Sequence, residues 1–249
     1  MPGYDDDLRL AHVLADAVER ITTARFRAED LQVETKPDLT PVTEADRDVE
    51  QALRERLARE RPDDGMLGEE TGETGRSTRR WIVDPIDGTR NYTRGVPVWA
   101  TLIALQADGV VRLGVVSAPA LGRRWHAERG GGAWADDDRV RVSSVRQVDD
   151  AVLSFSLDRG VPALATQSWN ARAFGDFWAH MLVAEGAADG AIDAVGVSLW
   201  DLAAIQVIVE EAGGTFTDFD GAGRIDGGSA ISSNGYLHAA LLAAVSEIA

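Results

Sequence analysis

The chain has 249 residues, 45% of them hydrophobic, enough to bury a large core in one domain or two closely packed halves. Its 41 Asp and Glu against 25 Lys and Arg leave a net charge of −16, which argues against nucleic acid and anionic membrane as partners. Without cysteine there is no disulfide, thiolate nucleophile or Cys-based zinc site, and an acidic N-terminus with no apolar run near the roughly 20 residues of a membrane span makes the cytoplasm the expected location.

Acidic residues open a first helix predicted over 5–27, in which Leu8, Ala11, Leu14, Ala15, Val18 and Ile21 recur at helical spacing. A short extended piece around Leu31 to Thr35 leads into Lys36-Pro37-Asp38-Leu39-Thr40-Pro41-Val42, too rich in proline to be helical and read as a loop. Thr43-Glu44-Ala45-Asp46 has capping-box spacing, and Val49, Leu53 and Leu57 continue a second helix until Pro62 stops it. Met66-Leu67 is a brief strand ending at Gly68-Glu69-Glu70, and Trp81-Ile82-Val83 another ending at Asp84-Pro85-Ile86-Asp87-Gly88-Thr89. Residues 99–106, 110–117, 123–128 and 140–144 are β-rich and separated by turns such as Asp108-Gly109 and Gly130-Gly131-Gly132, which predicts an antiparallel sheet.

A strand over 151–156, a helix over 168–186 with Phe174, Phe177, Trp178, Met181 and Leu182 inward, and a strand over 191–195 follow. Ser198-Leu199-Trp200-Asp201 repeats the capping-box spacing ahead of Leu202, Ile205, Ile208, Val209 and Ala212, and Gly213-Gly214 ends that helix. Strands over 215–219 and 229–232 and a last helix over 236–248 finish the chain. With no repeat, linker or low-complexity segment, 1–249 reads as one unit, with an N-terminal half of about 1–145 and a C-terminal half of about 146–249.

Asp84 and Asp87 flank a rigid Pro-Ile, and the unhindered N–H groups of Gly88-Thr89 follow, so the segment forms an anionic cup with hydrogen-bond donors behind it. An isolated Asp-x-x-Asp would be an ordinary polar turn. Here the adjacent acids Glu69-Glu70, one loop upstream, need a cation or solvent, and Asp46 and Asp201 are each an acid at a helix start, able to cap or to be held at a site. Oxygen-only ligation suits Mg²⁺ or Mn²⁺ rather than zinc. There is no Gly-x-Ser-x-Gly, no Gly-x-x-x-x-Gly-Lys-Ser/Thr and no Gly-x-Gly-x-x-Gly; His12, His126, His180 and His238 lack metal-ligand spacing and read as surface or packing residues. Two residues between the acids, not one, also disfavour the Asp-x-Asp of aspartyl-phosphate phosphatases.

Gly68-Glu69-Glu70, Asp84-Pro85-Ile86-Asp87-Gly88-Thr89 and Trp200-Asp201, in that order, resemble the three signatures of the inositol monophosphatase superfamily of Mg²⁺-dependent, lithium-sensitive phosphatases. Lys36, Thr43, Asp46 and Glu211-Ala212-Gly213-Gly214 also fall at family positions, so the likeness spans nearly the whole chain. The segments Lys36 to Thr43, Arg94-Gly95-Val96-Pro97-Val98-Trp99-Ala100 and Arg172-Ala173-Phe174-Gly175-Asp176-Phe177 are similar to the actinobacterial type of histidinol-phosphate phosphatase.

This resemblance implies an α/β (α+β) fold, the layered α/β/α/β sandwich of the inositol monophosphatase/fructose-bisphosphatase type, with a six-stranded antiparallel sheet in the first half and a mixed sheet in the second. It implies about two to three Mg²⁺ per site, with Mn²⁺ able to substitute. Glu69, Asp84 and the Ile86 carbonyl would bind the first ion, Asp84, Asp87 and Asp201 the second, and Glu69 a weaker third. Asp87, Gly88 and Thr89 would bind phosphate, Asp46 and the Thr89 hydroxyl would orient and help deprotonate the attacking water, and Glu70 would bond to metal-bound water. A homodimer is implied too, for which the sequence offers Val96-Pro97-Val98-Trp99 and the aromatic helix around Trp178 as interface.

At the position after Gly175, inositol-type members carry a small hydroxyl residue followed by alanines, whereas this chain has Asp176, Phe177 and Trp178. An acid beside flat aromatics suits a cationic alcohol, and histidinol carries an ammonium and an imidazole; the opposing reading makes Asp176 a solvated helix residue. A family glutamate that contacts inositol is replaced around Asp193-Ala194. The expected activity is hydrolysis of L-histidinol phosphate in histidine biosynthesis, with Arg172, Asp176 and Asp193 meeting the alcohol. The alternatives are an inositol-1-monophosphatase or another small phosphate monoesterase of the superfamily, and an idle metal-binding structural protein, against which the retention of every acid and of Thr89 argues.

Overall fold

Asp5–Arg25 (α1) begins with three acids and ends with Arg25, matching the helix dipole, and buries Leu10, Ala11, Leu14, Ala15 and Val18. It opens a computed structural model that describes residues 3–157, 162–194 and 196–246. Val33–Thr35 (β1) and Pro41–Thr43 (β2) pair antiparallel, so the proline-rich segment is a hairpin whose second strand begins at Pro41, not a free loop. Glu44–Glu60 (α2) follows with the expected capping box between Thr43 and Asp46.

Gly65–Gly68 (β3), Gly72–Thr74 (β4), Arg79–Asp87 (β5), a short helix Thr89–Thr93 (α3), Ala100–Ala107 (β6), Val110–Ala118 (β7), Arg123–Glu128 (β8), Gly132–Ala135 (β9) and Asp138–Val140 (β10) come next. Their eight strands form one sheet in the order β10-β9-β8-β7-β6-β5-β3-β4, larger than the expected six. Nor is it wholly antiparallel: β4 turns the chain back, so β5 returns alongside β3 in the same direction. The glycine run leads directly into β9, and the strand expected over 140–144 stops at Val140, because Val142 N–H bonds the Ala212 carbonyl instead of a strand.

The second half contributes Val152–Ser156 (β11), Ala163–Gln167 (α4), Asn170–Arg172 (β12), Asp176–Ala184 (α5), Gly190–Asp193 (β13), Leu199–Glu211 (α6), Thr215–Thr217 (β14), Ala230–Ser233 (β15) and His238–Ser246 (α7). The strands form a mixed sheet in the order β12-β11-β13-β15-β14, as expected. The helix expected over 168–186 is two elements, because Gly175 is extended and Asp176 takes a left-handed φ of 55°, which starts the helix only there. Residue 195 of the expected strand and residues 247–248 of the expected last helix lie outside the described residues.

Period-2 alternation along β5 decides the layering. Trp81 and Val83 face α1 and α2 through Leu14, Val49 and Leu53, while Ile82 faces α5 and α6 through Phe177, Ile205 and Ile208. Ala179 and Val183 of α5 also pack on Ala191 of the second sheet. Leu164 of α4 and Leu241 of α7 cover its far side at Leu153, Ile192 and Ile231. The α/β/α/β order is therefore present, with α4 and α7 as a further layer. Gly114 lets α6 sit directly on β7, since a Cβ there would lie 2.7 Å from the Ala204 Cα. Of the proposed interface residues, Trp99 is instead buried against Phe26 and Tyr92, Trp178 is half-buried, and Val96 is 41% exposed.

Candidate active site

Side chains on a strand alternate between faces, so acids three residues apart should point to opposite sides. In β5, Asp84 stands opposite Leu102 and Asp87 opposite Ala100, so three residues match two on β6 and a one-residue bulge returns both acids to one side. Pro85 sits inside the bulge, where its missing N–H costs little, and its carbonyl accepts from Thr101 Oγ1 at 2.7 Å. The α6 N-terminus brings Asp201, and carboxylate oxygens of Asp84, Asp87 and Asp201 lie within 4.8 Å of one another.

Asp201 Oδ2 accepts from the Ser198 N–H at 2.5 Å, and Asp87 Oδ2 accepts from the Phe177 N–H at 2.5 Å. Asp84 Oδ1 is buried and has no partner among the described residues. Burial, reinforced by Glu69, Asp87 and Asp201, holds the Asp84 carboxyl well above its ordinary range. Burial and then Asp176 do the same to Asp87, and burial, against the Ser198 bond, raises Asp201 to about 7. An orphaned buried oxygen and three mutually repelling carboxylates are both relieved by a divalent cation, and an all-oxygen donor set fits a hard one.

The metal-free chain should reveal this strain in its pH dependence. Asp46 and Asp201 titrate near about 7 and Asp176 near about 6 when folded, so the folded chain holds protons that the unfolded chain releases near its ordinary carboxylate range. Their stabilising contribution is complete below about pH 4 and is lost as the pH rises through 6 to 7. Between those limits each such group withdraws about 1.4 kcal/mol for every step of one in pH. EDTA-treated protein should thus melt lower at pH 8 than at pH 5, and a divalent cation should close the gap. Equal melting temperatures in EDTA would contradict it.

Glu69 and Glu70 follow β3 in a turn pinned by a residue to which the sequence reading gives no role. Glu50 on α2 is fully buried and accepts from the Glu70 N–H at 2.7 Å and the Thr71 N–H at 3.0 Å. Gly68 leaves room for it, since a Cβ would lie 2.3 Å from its carboxyl carbon. The available signal is spacing: Glu50 lies four residues after Asp46, on the same helix face. Glu69 lies outside the group of three acids whose oxygens fall within 4.8 Å of one another, and Lys36 Nζ bonds Glu69 at 2.7 Å and Glu70 at 2.6 Å. Burial raises the Glu70 carboxyl while the Lys36 bond opposes the rise.

Asp46 is fully buried, and its Oδ2 accepts from the Thr43 N–H at 2.8 Å and Oγ1 at 2.6 Å. Its Oδ1 faces Thr89 Oγ1 at 3.4 Å, while that hydroxyl lies closer to the Ile86 carbonyl, at 2.9 Å. Burial raises the Asp46 carboxyl to about 7 against the Thr43 bonds. One carboxylate therefore caps α2 and also meets the hydroxyl at the end of the cup.

A cleft of about 300 Å³ is lined by Glu69, Asp84, Asp87, Asp201, Asp176 and Asp193, with Ile86, Gly88 and Thr89 on its floor. Asp46 and Glu70 do not line it; Asp46 reaches it through Thr89. Asp176 is no solvated helix residue: its Oδ2 accepts from Asn91 Nδ2 at 3.2 Å, and burial and then Asp193 raise its carboxyl to about 6. Arg172 is corrected in the other direction, being exposed on the edge strand β12 and absent from the cleft wall; the break at Gly175 separates it from α5. Arg90 supplies the cation there instead, and its charge opposes the rise at Asp176. His180 also lines the cleft, contrary to a surface or packing role; its Nδ1 lies 2.7 Å from Ser232 Oγ.

The inositol monophosphatase family model matches residues 5–249. This chain belongs to that family. Members of the inositol monophosphatase family are metal-dependent, in keeping with the all-oxygen cluster. Among relatives, a histidinol-phosphatase of Mycobacterium tuberculosis is 54% identical over 94% of this chain and 95% of its own length. A histidinol-phosphatase of Streptomyces coelicolor is 51% identical over 97% of each. The extragenic suppressor protein SuhB of Bartonella henselae superposes with a TM-score of 0.89 at 30% identity, covering 96% of this chain and 98% of that one.

Proposed function

We propose that the protein hydrolyses L-histidinol phosphate to L-histidinol and inorganic phosphate in histidine biosynthesis, with Mg²⁺ as its ion and Mn²⁺ able to replace it. The observation that carries this reading is the surplus of acids in one cleft: beyond Asp84, Asp87 and Asp201, which suit cations and hence phosphate, Asp176 and Asp193 remain to meet the alcohol. A neutral polyol gains little from one buried and one half-buried carboxylate, whereas a cationic alcohol can pair with them. The histidinol-phosphatase relatives support the same substrate.

The ions, when bound, supply positive charge to the phosphoryl oxygens and make water acidic enough to attack near neutral pH. Asp84, Asp87 and Asp201, with Glu69 and the Ile86 carbonyl, hold them in this reading. Gly88 has a left-handed φ of 83°, and a Cβ there would lie 2.9 Å from the Val98 carbonyl; its bare backbone leaves the Gly88 and Thr89 N–H groups open to phosphate oxygens. The Thr89 hydroxyl takes a proton from the attacking water and passes one to Asp46, whose carboxyl near about 7 suits a general base at neutral pH. Glu70, held by Lys36 and Glu50, orients that water. The water oxygen bonds to phosphorus as the bond from phosphorus to the alcohol oxygen breaks, and the leaving oxygen takes up a proton from solvent.

A substrate panel tests the reading: with Mg²⁺, L-histidinol phosphate should show the highest kcat/KM against inositol 1-phosphate, fructose 1,6-bisphosphate and a small neutral phosphate ester. Asp176→Asn should lower kcat/KM for histidinol phosphate roughly 10- to 150-fold, the loss expected for a desolvated charge-assisted bond, and leave the neutral ester nearly unchanged. Faster turnover of inositol 1-phosphate by the wild type overturns the assignment. Equal losses on both esters in the variant would move Asp176 into the fold or the metal site.

A further inference from the structure

We infer that His180 completes an ammonium-binding corner of the cleft, in which Asp176, Asp193 and Nε2 of His180 converge on a primary ammonium on the substrate alcohol. This rests on the function proposed above and names how its substrate would be told from other phosphate esters.

His180 lies four residues after Asp176 on α5, so both side chains belong to one helix face and point toward the cleft they line. The imidazole is 1% exposed, and its Nδ1 is anchored 2.7 Å from Ser232 Oγ on the buried strand β15. Its Nε2 is buried, has no hydrogen-bond partner among the described residues, and stands 3.9 Å from Asp193 Oδ2, beyond hydrogen-bond reach. Buried polar atoms are almost always paired, so a bare nitrogen on a ligand cleft marks a place where the ligand supplies the partner.

The partner's chemistry follows from what surrounds that nitrogen. Asp176 and Asp193 are acceptors, and a carboxylate's several lone-pair positions leave each with capacity beyond its contacts within the protein. In the tautomer whose Nδ1–H donates to Ser232 Oγ, Nε2 is the acceptor of the ring, and the corner is a set of acceptors. An ammonium group has three donors and no acceptor, whereas a hydroxyl has one donor and would leave the corner partly unpaired. Charge agrees: two acids, Asp176 and Asp193, stand on this wall with one guanidinium, Arg90.

The test compares wild type, His180→Phe and Ser232→Ala on L-histidinol phosphate and on its analogue lacking the amine, imidazolylpropyl phosphate. The wild type should prefer the amine ester, and His180→Phe, which keeps a ring of similar size, should lose roughly tenfold or more on that ester through KM, with kcat and the deaminated ester nearly unchanged. Ser232→Ala frees the ring proton to move to Nε2, turning an acceptor into a donor, and should shift the preference in the same direction by less. Equal losses of His180→Phe on both esters, or none, overturn the inference. Should that variant not fold, an unaltered ester preference in Ser232→Ala overturns it alone. A wild type that cleaves both esters equally well sinks the ammonium corner and leaves histidinol phosphate as substrate; one that cleaves neither sinks the proposed function, and the corner with it.

Discussion

Excess EDTA should abolish phosphate release and Mg²⁺ or Mn²⁺ should restore it, while Asp84→Asn should cost at least about 10³-fold in kcat/KM that added metal does not recover. Asp84 is the residue to choose because its Oδ1 is buried with no partner among the described residues, and its carboxylate lies within 4.8 Å of oxygens from Asp87 and Asp201. Metal chemistry at phosphorus contributes several kcal/mol, and about 1.4 kcal/mol corresponds to a decade in rate. The same substitution should raise the melting temperature of the EDTA-treated protein at pH 8, because it removes a carboxylate that burial and three acidic neighbours oppose. Activity and metal-free stability therefore move in opposite directions, which damage to the fold cannot mimic. Undiminished turnover in EDTA would sink the metal assignment.

Asp46→Asn should retain the fold and lose about 10²- to 10⁴-fold in kcat, the range for a missing general base. Its Oδ2 bonds to the Thr43 N–H and Oγ1 cap α2, and an amide oxygen can still accept both, so a lost cap would cost no more than about 1 kcal/mol. Neutralising a fully buried group also removes the desolvation that raises its carboxyl to about 7, which offsets that cost above neutral pH. In the wild type, kcat/KM should accordingly fall as the pH drops through about 7, where Asp46 takes up its proton. Near wild-type turnover with a lower melting temperature would reduce Asp46 to a structural cap.

Sequence reaches furthest where local hydrogen bonding and periodicity decide the outcome. Both capping boxes, at Thr43/Asp46 and Ser198/Asp201, form where their spacing places them, because side chain and backbone partners lie within one helical turn. It fails where partners are distant in the chain. Helical spacing extends α5 back through Asn170–Arg172, but that stretch pairs with β11, which keeps Arg172 from the site expected for it. His180 lacks metal-ligand spacing and so reads as surface or packing, although its place four residues after Asp176 is visible; only the packing of α5 against β15 turns it into the cleft.

What the sequence determined by itself is the set of acids, the helix starts that hold Asp46 and Asp201, and the strand that delivers Asp84 and Asp87, since each depends on neighbours within a few residues. The tertiary structure alone decided that Asp84 and Asp87 share a side, because a bulge is a mismatch between two strands and exists only once β5 has found its register on β6. It likewise decided that Lys36 bonds Glu69 and Glu70 and that Glu50 anchors the turn at Glu70, 20 residues further along the chain. Asp176, Asp193 and His180 meet for the same reason: a charge is brought into a cleft by the packing of whole elements, whose register no short stretch of sequence encodes.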